Sequence, residues 1–471
     1  MRLSIKMIIT LFTCCLANGL SAQTSDWVNK TRLLDSIYTS LYTAGSFNGT
    51  VLVAEKGKVM FDKSYGLANE QTHKGVNSQT MFDMASVSKQ FTAMAIVLLK
   101  KRGKLKYDDL LSRYIPELSF YDSVTIRDLL NHTSGIPDYM SLFYEKWDKS
   151  KIATNDDLIR EFATYKPALD FQPGQKWQYS NTGYALLASI IERVSTMPYG
   201  QFLKENIFIP VKMKNTMVHH SVYAPKKLNN YAVGYVTDSM MDKISPYSLG
   251  SLSDEYYLDG ISGDGSVHST AEDLLKWDRV LYSDKLINAD DKKEIFTAAK
   301  LKDGKETSYG FGWRVYNNNE KYGKIVNHSG SWAGYITYIE RHVDNDKTII
   351  ILQNYSTPVS KVGLADVRKV LYNQQLDIKP KLAIELTSAD LDKYIGIYSC
   401  NERPVKMRVF KKGNRLIGIG SGPGQRAFPL DAFPDNTFKC ESIGLEIIFN
   451  PDDNSMKTTQ GKSLLTYKME K

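Results

Sequence analysis

The chain alternates between segments of helical and of extended periodicity. Apolar side chains recur at helical spacing over residues 26–42 and predict a first helix. The runs 49–55 and 57–61 then predict two strands joined by a tight turn. Residues 82–99 are apolar with helical periodicity, which predicts a buried helix that carries Ser86 near its start.

The middle of the chain is mixed and mostly helical, and its strongest predicted helix covers residues 183–194. The pattern then switches to strands, which we predict at 310–316, 324–328, 334–340 and 347–352. A helix over 365–373 is predicted to close this region. Strands near both ends with helices between them predict one antiparallel sheet flanked by helices, in which the two chain ends meet.

The last quarter of the chain has a different pattern. Residues 376–388 are typical of a linker. Residues 389–471 consist of short alternating runs separated by Gly, Pro, Asn and Asp. They predict a small antiparallel β domain after a main domain of residues 23–375.

The first 22 residues are typical of a secretory signal peptide. Arg2 and Lys6 precede an apolar run over residues 7–16, and a small residue, Ala22, follows it. The run is too short for a stable membrane span. We therefore expect cleavage after Ala22 and a secreted or periplasmic protein with no membrane span.

Charge and cysteine content exclude several classes of function. The 471 residues carry a formal net charge of +8, without a dense basic run interleaved with aromatics, so no nucleic-acid partner is expected. Cys400 and Cys440 remain after cleavage, and their spacing leaves open both a disulfide and two separately buried thiols. No C-x-x-C or H-E-x-x-H pattern occurs, so no metal or cofactor is expected. The sequence indicates no oligomeric state.

The strongest candidate chemistry lies in Ser86-Val-Ser-Lys89. Positions three apart on a helix share a face, so Lys89 can reach the Ser86 hydroxyl. A serine hydroxyl becomes a good nucleophile when a neighbouring base takes its proton. The S-x-x-K pattern is common by chance, but its place at the entry of a buried helix favours a nucleophile.

Two further motifs add candidate site residues. Tyr179-Ser-Asn181 offers a phenol that can relay a proton and an amide that can hold a substrate carbonyl. His328-Ser-Gly330-Ser331 ends a predicted strand, where a glycine lets a peptide substrate approach the sheet edge.

Taken in order, these three motifs resemble those of the β-lactamase-related serine hydrolases. This family includes class C β-lactamases, serine-type D-Ala-D-Ala carboxypeptidases, D-aminopeptidases and esterases. Further phrases support the resemblance over about residues 30–375: Leu129-Leu-Asn-His-Thr-Ser-Gly-Ile-Pro, Gly263-Asp-Gly-Ser-Val-His-Ser and Trp332-Ala-Gly-Tyr. The tail resembles the lipocalin-like β domains that follow some of these hydrolases, and this resemblance implies a small β-barrel over residues 389–471.

The resemblance implies a β-lactamase/transpeptidase-like fold and a role for each motif residue. Ser86 would be the acylated nucleophile, Lys89 its activating partner, and Tyr179 the general base and acid. Substrate would bind through a second set: Asn181, His328, Gly330 and Ser331. The backbone N–H groups of Ser86 and Ser331 would form the oxyanion hole.

One departure from the family bears on the substrate. Class C β-lactamases have lysine where this chain has His328, and a neutral imidazole attracts a carboxylate less strongly. We therefore expect a peptidase or amidase acting on D-amino-acid-containing or cell-wall peptides. A carboxylesterase, a β-lactamase and a catalytically silent cell-wall binding protein remain the alternatives.

Overall fold

The structure, a computed structural model, describes residues 26–332, 334–357, 359–376, 384–422, 425 and 427–470. The predicted signal peptide (1–22) and much of the predicted linker lie outside these residues. In the described ranges, no helix combines the length and apolar character needed to cross a membrane.

The main sheet has six strands and brings the two ends of its domain together. In chain order they are β1 (Gly49–Glu55), β2 (Lys58–Tyr65), β3 (Arg314–Asn319), β4 (Gly323–Trp332), β5 (Tyr335–His342) and β6 (Lys347–Gln353). Their spatial order is β3-β4-β5-β6-β1-β2, and every neighbouring pair is antiparallel. The antiparallel sheet predicted from strands at both ends of the pattern is thus confirmed.

The central strands separate two hydrophobic cores. Alternate residues of β1 and β6 belong to different clusters: Val51 and Ile349 to one, Leu52 and Ile350 to the other. This division follows from the period of two along a strand. Because both faces of β6 are covered, all seven of its residues are buried, and the four at its centre, residues 349–352, are all apolar.

Helices cover both faces of this sheet. One face packs against α1 (26–43) and the last helix, α12, and the other against α2 and α10. The remaining helices form the helical region beside it. The helices after α1 are α2 (Lys89–Lys101), α3 (Ile126–Asn131), α4 (Tyr139–Lys146), α5 (Asn155–Tyr165), α6 (Asn181–Ser195), α7 (Tyr199–Leu203), α8 (Ile209–Val211), α9 (Asp254–Tyr257), α10 (Ala271–Val280), α11 (Ala289–Ile295) and α12 (Leu364–Leu371).

The segment predicted as one helix over 82–99 has three parts. A short strand, Phe82–Asp83, leads into a 3-10 turn, Ala85–Ser88, and α2 begins only at Lys89. Ala85 has a φ of +46°, a left-handed conformation that a right-handed helix does not contain. Apolar periodicity alone therefore placed the start of the helix too early.

The C-terminal strands close into an eight-stranded antiparallel barrel. They are β7 (Gly396–Cys400), β8 (Arg403–Lys412), β9 (Arg415–Gly420), β10 (Phe428–Phe433), β11 (Thr437–Cys440), β12 (Leu445–Asn450), β13 (Ser455–Gln460) and β14 (Ser463–Met469). The predicted β domain is thus a closed barrel. Cys400 and Cys440 are buried in its core as free thiols. The predicted domain boundaries stay predictions.

The barrel contacts the main domain through a loop. Met241 packs against an apolar patch of the barrel formed by Phe410, Ile417 and Ala427. Beside it, Lys412 Nζ lies 2.5 Å from a carboxylate oxygen of Asp242. The barrel is therefore joined to the main domain by apolar packing and by an ion pair.

Candidate active site

Ser86 lies in a turn that is held from both sides. Asp83 Oδ1 accepts a hydrogen bond from the Ala85 backbone N–H at 2.7 Å. On the sheet side, Thr337 Oγ1 donates to the Met84 carbonyl oxygen at 2.7 Å. These bonds stabilise the left-handed conformation of Ala85 and fix where the Ser86 hydroxyl points.

Lys89 is fully buried, and its ammonium group has three acceptors. Nζ lies 3.0 Å from Ser86 Oγ, 2.9 Å from Asn181 Oδ1 and 2.8 Å from the Asp264 carbonyl oxygen. The last two oxygens can only accept, so they bind two N–H bonds in any protonation state. The third position faces Ser86, where a neutral amine would place its lone pair.

The loop that presents Asp264 is packed against α2. Thr92 Oγ1 donates to the Gly263 carbonyl oxygen at 2.6 Å. Gly263 has a φ of +105°, and a Cβ there would lie 2.4 Å from the Tyr184 carbonyl oxygen. Only glycine fits this position, which explains the Gly-Asp-Gly phrase of the sequence.

Tyr179 and Asn181 come from the segment that enters α6. The Tyr179 ring packs on the His132 imidazole with centroids 4.3 Å apart, and Lys89 Nζ lies 4.9 Å from the Tyr179 ring centroid. The Tyr179 hydroxyl is buried and makes no hydrogen bond to any described residue. It is therefore available to a reacting group.

His132 holds this segment through hydrogen bonds to its backbone. Its Nδ1 accepts a hydrogen bond from the Ser180 backbone N–H at 3.3 Å. Burial, and then the charge of Lys89, lower the pKa of His132 well below its usual value, so the ring is neutral and can accept. The two segments are also joined by the Gln178 N–H, which donates to the His132 carbonyl oxygen at 3.0 Å.

His328 uses both ring nitrogens inside the protein. Nδ1 lies 2.7 Å from the Ser329 carbonyl oxygen and must donate to it. Nε2 then accepts from the Tyr309 hydroxyl at 2.8 Å. Burial, and then the charge of Lys89, lower the pKa of His328 to about 3. His328 is therefore a neutral residue in the middle of β4, and its ring is held by Tyr309 and the Ser329 carbonyl oxygen.

Gly330 packs directly against the turn that carries Ser86, at Met84 and Ala85. A Cβ at this position would lie 2.4 Å from the Met84 carbonyl oxygen and 3.1 Å from Ala85 Cβ. The structure therefore gives this glycine a packing reason, besides the substrate access expected from the sequence. Ser331, which follows Gly330 in β4, is exposed at the sheet edge.

A cavity of about 440 Å³ opens over these groups. Five of the predicted site residues line it: Ser86, Tyr179, Asn181, His328 and Ser331. Lys89 and Gly330 lie behind the cavity wall, where they contact the turn that carries Ser86. The structure thus brings all seven predicted residues to one place.

The cavity also contains charged residues that the motifs did not include. Asp83, Asp259 and Asp264 line it, together with Arg314. Arg314 makes no ion pair with any described residue, and its guanidinium carbon lies 5.8 Å from the Trp177 ring centroid. Asp83 and Asp264 adjoin the motifs in sequence, whereas nothing in the sequence pattern singled out Arg314. In the described part of the chain, no group of three or more His, Cys, Asp or Glu is placed to hold a metal.

Comparison with known proteins places this site in context. The family model described as Beta-lactamase matches residues 34–373. Penicillin-binding protein 4* of Bacillus subtilis (strain 168) is 36% identical over 91% of this chain and 96% of its own length. The octameric penicillin-binding protein homologue from Pyrococcus abyssi has a TM-score of 0.63 at 22% identity, over 92% of this chain and 99% of that one. D-amino acid amidase from Ochrobactrum anthropi SV3 has a TM-score of 0.59 at 22% identity, over 74% and 97%.

Proposed function

The chain belongs to the beta-lactamase family of serine hydrolases, and we propose that it is an exported peptidase or amidase that cleaves amide bonds of D-amino-acid-containing peptides. The observation that carries the proposal is the setting of Lys89, whose Nζ contacts Ser86 Oγ and two oxygens that can only accept. The signal-peptide pattern of residues 1–22 supports export.

Acylation would start at the Ser86 hydroxyl. Oγ forms a bond to the substrate carbonyl carbon while its proton moves to the lone pair of Lys89. Negative charge develops on the carbonyl oxygen, where the backbone N–H groups of Ser86 and Ser331 would stabilise it. The 3-10 turn gives Ser86 an N–H with no partner inside the turn.

Tyr179 would carry the proton to the leaving group. Its buried hydroxyl has no partner among the described residues and lies in the cavity wall. When the carbon–nitrogen bond breaks, the leaving nitrogen takes the Tyr179 proton, which Lys89 replaces. Water then attacks the ester, the same groups take its proton, and Ser86 Oγ recovers a hydrogen.

Two residues bear on the choice of substrate. His328 stays neutral, so the third motif supplies no positive charge, and this disfavours efficient β-lactam hydrolysis. Arg314 is a cation of the cavity without an ion pair among the described residues. We infer that it binds a carboxylate of the substrate, as expected for a peptide with a free C-terminus.

The proposal is tested by intact-protein mass spectrometry after incubation with benzylpenicillin and, separately, with a fluorophosphonate. We expect a covalent adduct on the wild type and none on Ser86→Ala. Ser88→Ala is the matched control, since Ser88 lies in the same turn and its hydroxyl only accepts from the Val267 N–H at 3.1 Å. Lys89→Met should slow acylation by about 10³-fold.

Turnover distinguishes the related activities. We expect Ser86-dependent release of the C-terminal residue or amide from D-alanine-containing peptides and amides. Hydrolysis of simple esters alone would identify an esterase, and rapid release of opened penicillin a β-lactamase. A folded protein that forms no adduct with either reagent would contradict the proposed function and favour a binding protein.

A further inference from the structure

The cavity contains a carboxylate that the proposed chemistry does not use. Asp83 is only 4% exposed, and it lines the cavity. Its Oδ1 accepts from the Ala85 N–H, whereas no described residue donates to Oδ2. No described lysine or arginine pairs with Asp83. A buried carboxylate without a cationic partner is costly, and such groups are retained mostly at functional sites.

The other two acidic residues of the cavity, Asp259 and Asp264, have hydrogen-bond donors or a cation beside them. Asp259 accepts three hydrogen bonds, from the backbone N–H groups of Ser221, Val222 and Tyr223, at 2.7 to 3.2 Å. Asp264 accepts from the Tyr139 hydroxyl at 3.0 Å and lies in the field of Lys89. Among the three, only Asp83 therefore combines a carboxylate oxygen that accepts no hydrogen bond from a described residue with the absence of a described lysine or arginine partner.

Two further side chains line the same cavity as Asp83. His219 is 7% exposed, lines the cavity, and its ring makes no hydrogen bond to a described residue. Tyr247 also lines the cavity, and its pKa is raised first by burial and then by Tyr231, Asp259 and Asp83. Tyr247 is therefore close enough to Asp83 to interact with its charge.

We propose that Asp83, together with His219 and Tyr247, binds an ammonium group on the acyl half of the substrate. The preferred substrates are then amides, esters or peptides of D-amino acids whose amino group is free. A carboxylate binds an ammonium group through charge-assisted hydrogen bonds, a neutral imidazole nitrogen accepts a further bond, and an aromatic ring attracts a cation.

The electrostatics of the site are compatible with an ammonium ligand. The pKa of Asp83 is raised to about 7, chiefly by burial and also by the charge of Asp259, against the lowering effects of the Ala85 N–H bond and of His220. Burial lowers the pKa of His219 to about 4, so its ring is neutral. An ammonium group beside Asp83 would favour the ionised carboxylate.

This inference rests on the proposed function, so its test is a binding measurement that needs no turnover. Ser86→Ala is titrated calorimetrically with D-alaninamide and with N-acetyl-D-alaninamide, which lacks the charge. We expect D-alaninamide to bind about tenfold more tightly or better. Adding Asp83→Asn should remove this preference. Asp122→Asn is the control for net charge, because Asp122 is exposed and outside the cavity, and it should keep the preference.

The outcomes separate the two proposals. Equal binding of both amides to Ser86→Ala, or an unchanged preference after Asp83→Asn, would overturn the ammonium site even if the wild type hydrolyses peptides. A preference that depends on Asp83 would support the site even if no Ser86-dependent turnover is found. With active enzyme, the ratio of kcat/KM for D-alanine p-nitroanilide over its N-acetyl form should fall about tenfold in Asp83→Asn.

Discussion

Asp138 Oδ2 accepts two hydrogen bonds from Asn181, one from its backbone N–H at 2.7 Å and one from its side-chain Nδ2 at 3.0 Å. A carboxylate has no donor, so the amide nitrogen must face Asp138 and the amide oxygen must face Lys89. Asp138 is also the N-cap of α4, where Oδ1 accepts from the Met140 N–H. One residue thus begins one helix and orients the first residue of another.

Replacing Asp138 should therefore affect both stability and catalysis. In Asp138→Ala, α4 loses its N-cap and the Asn181 N–H at the start of α6 loses its acceptor, and we expect the free energy of unfolding to fall by about 1 to 2 kcal/mol. The Asn181 amide can then rotate and place N–H bonds towards Lys89, so kcat should fall more than KM changes. Asp148→Ala removes a similar bond from an exposed turn and should leave kcat intact. Equal kcat values in the two variants would contradict the orienting role.

The pairing of His328 with Tyr309 gives a second prediction. Tyr309→Phe removes the donor to Nε2 and leaves a buried acceptor without a partner, which should cost about 1 to 3 kcal/mol of unfolding free energy. Tyr316→Phe is the matched control, since Tyr316 is an exposed tyrosine of β3, and it should be neutral. Chemical denaturation measures both. A Tyr309→Phe protein as stable as the wild type would show that this bond contributes nothing.

The pKa of Asp83 predicts a pH-dependent change in stability. A carboxyl group with a pKa near 7 in the folded state and near 4 in the unfolded state keeps its proton up to a higher pH in the folded protein. The free energy of unfolding therefore falls as the pH rises from about 4 to 7. Asp83→Asn keeps an acceptor for Ala85 and removes this loss. We expect it to stabilise the protein by about 2 to 4 kcal/mol at pH 8 and little at pH 4. A gain that is independent of pH would contradict this.

Gly330 gives a prediction about packing. In Gly330→Ala, the new methyl group would overlap the Met84 carbonyl oxygen at 2.4 Å, so the nucleophile turn or β4 must shift. We expect a loss of about 1 to 3 kcal/mol in stability and a slower acylation of Ser86. Gly75→Ala is the control, because its nearest atom would lie 3.9 Å away. If Gly330→Ala reacts with a fluorophosphonate at the wild-type rate, the glycine is not needed for the nucleophile geometry.

Much of the secondary structure of this protein, and the contact between Ser86 and Lys89, follows from local sequence pattern. The runs 49–55 and 347–352 predicted β1 and β6 as strands, and in the structure nearly all of their residues are buried because both faces of these strands are covered. The spacing of Ser86 and Lys89 placed the hydroxyl and the amine within reach, because residues three apart in a helical turn share a face. Short alternating runs also predicted the C-terminal β domain.

Closure of that domain into a barrel was implied by the resemblance to lipocalin-like domains and is not visible in the alternation pattern itself. The barrel closes because β7 pairs with β14, with Tyr398 opposite Met469. Alternation of apolar and polar residues fixes which face of a strand is buried, but it does not say which strand is its neighbour. The state of Cys400 and Cys440 was open for the same reason, since their distance depends on the folded barrel.

Tertiary structure alone decided the surroundings of Ser86 and Lys89. Lys89 Nζ receives its acceptors from Asn181, 92 positions away, and Asp264, 175 positions away. Likewise, the early helix start at 82–99 failed because Asp83 and Thr337 hold the turn before Lys89 in a left-handed conformation. Local periodicity reports only which side of an element is buried. The orientation of a buried polar side chain depends on which distant groups the fold brings next to it, because a buried polar side chain needs a hydrogen-bond partner.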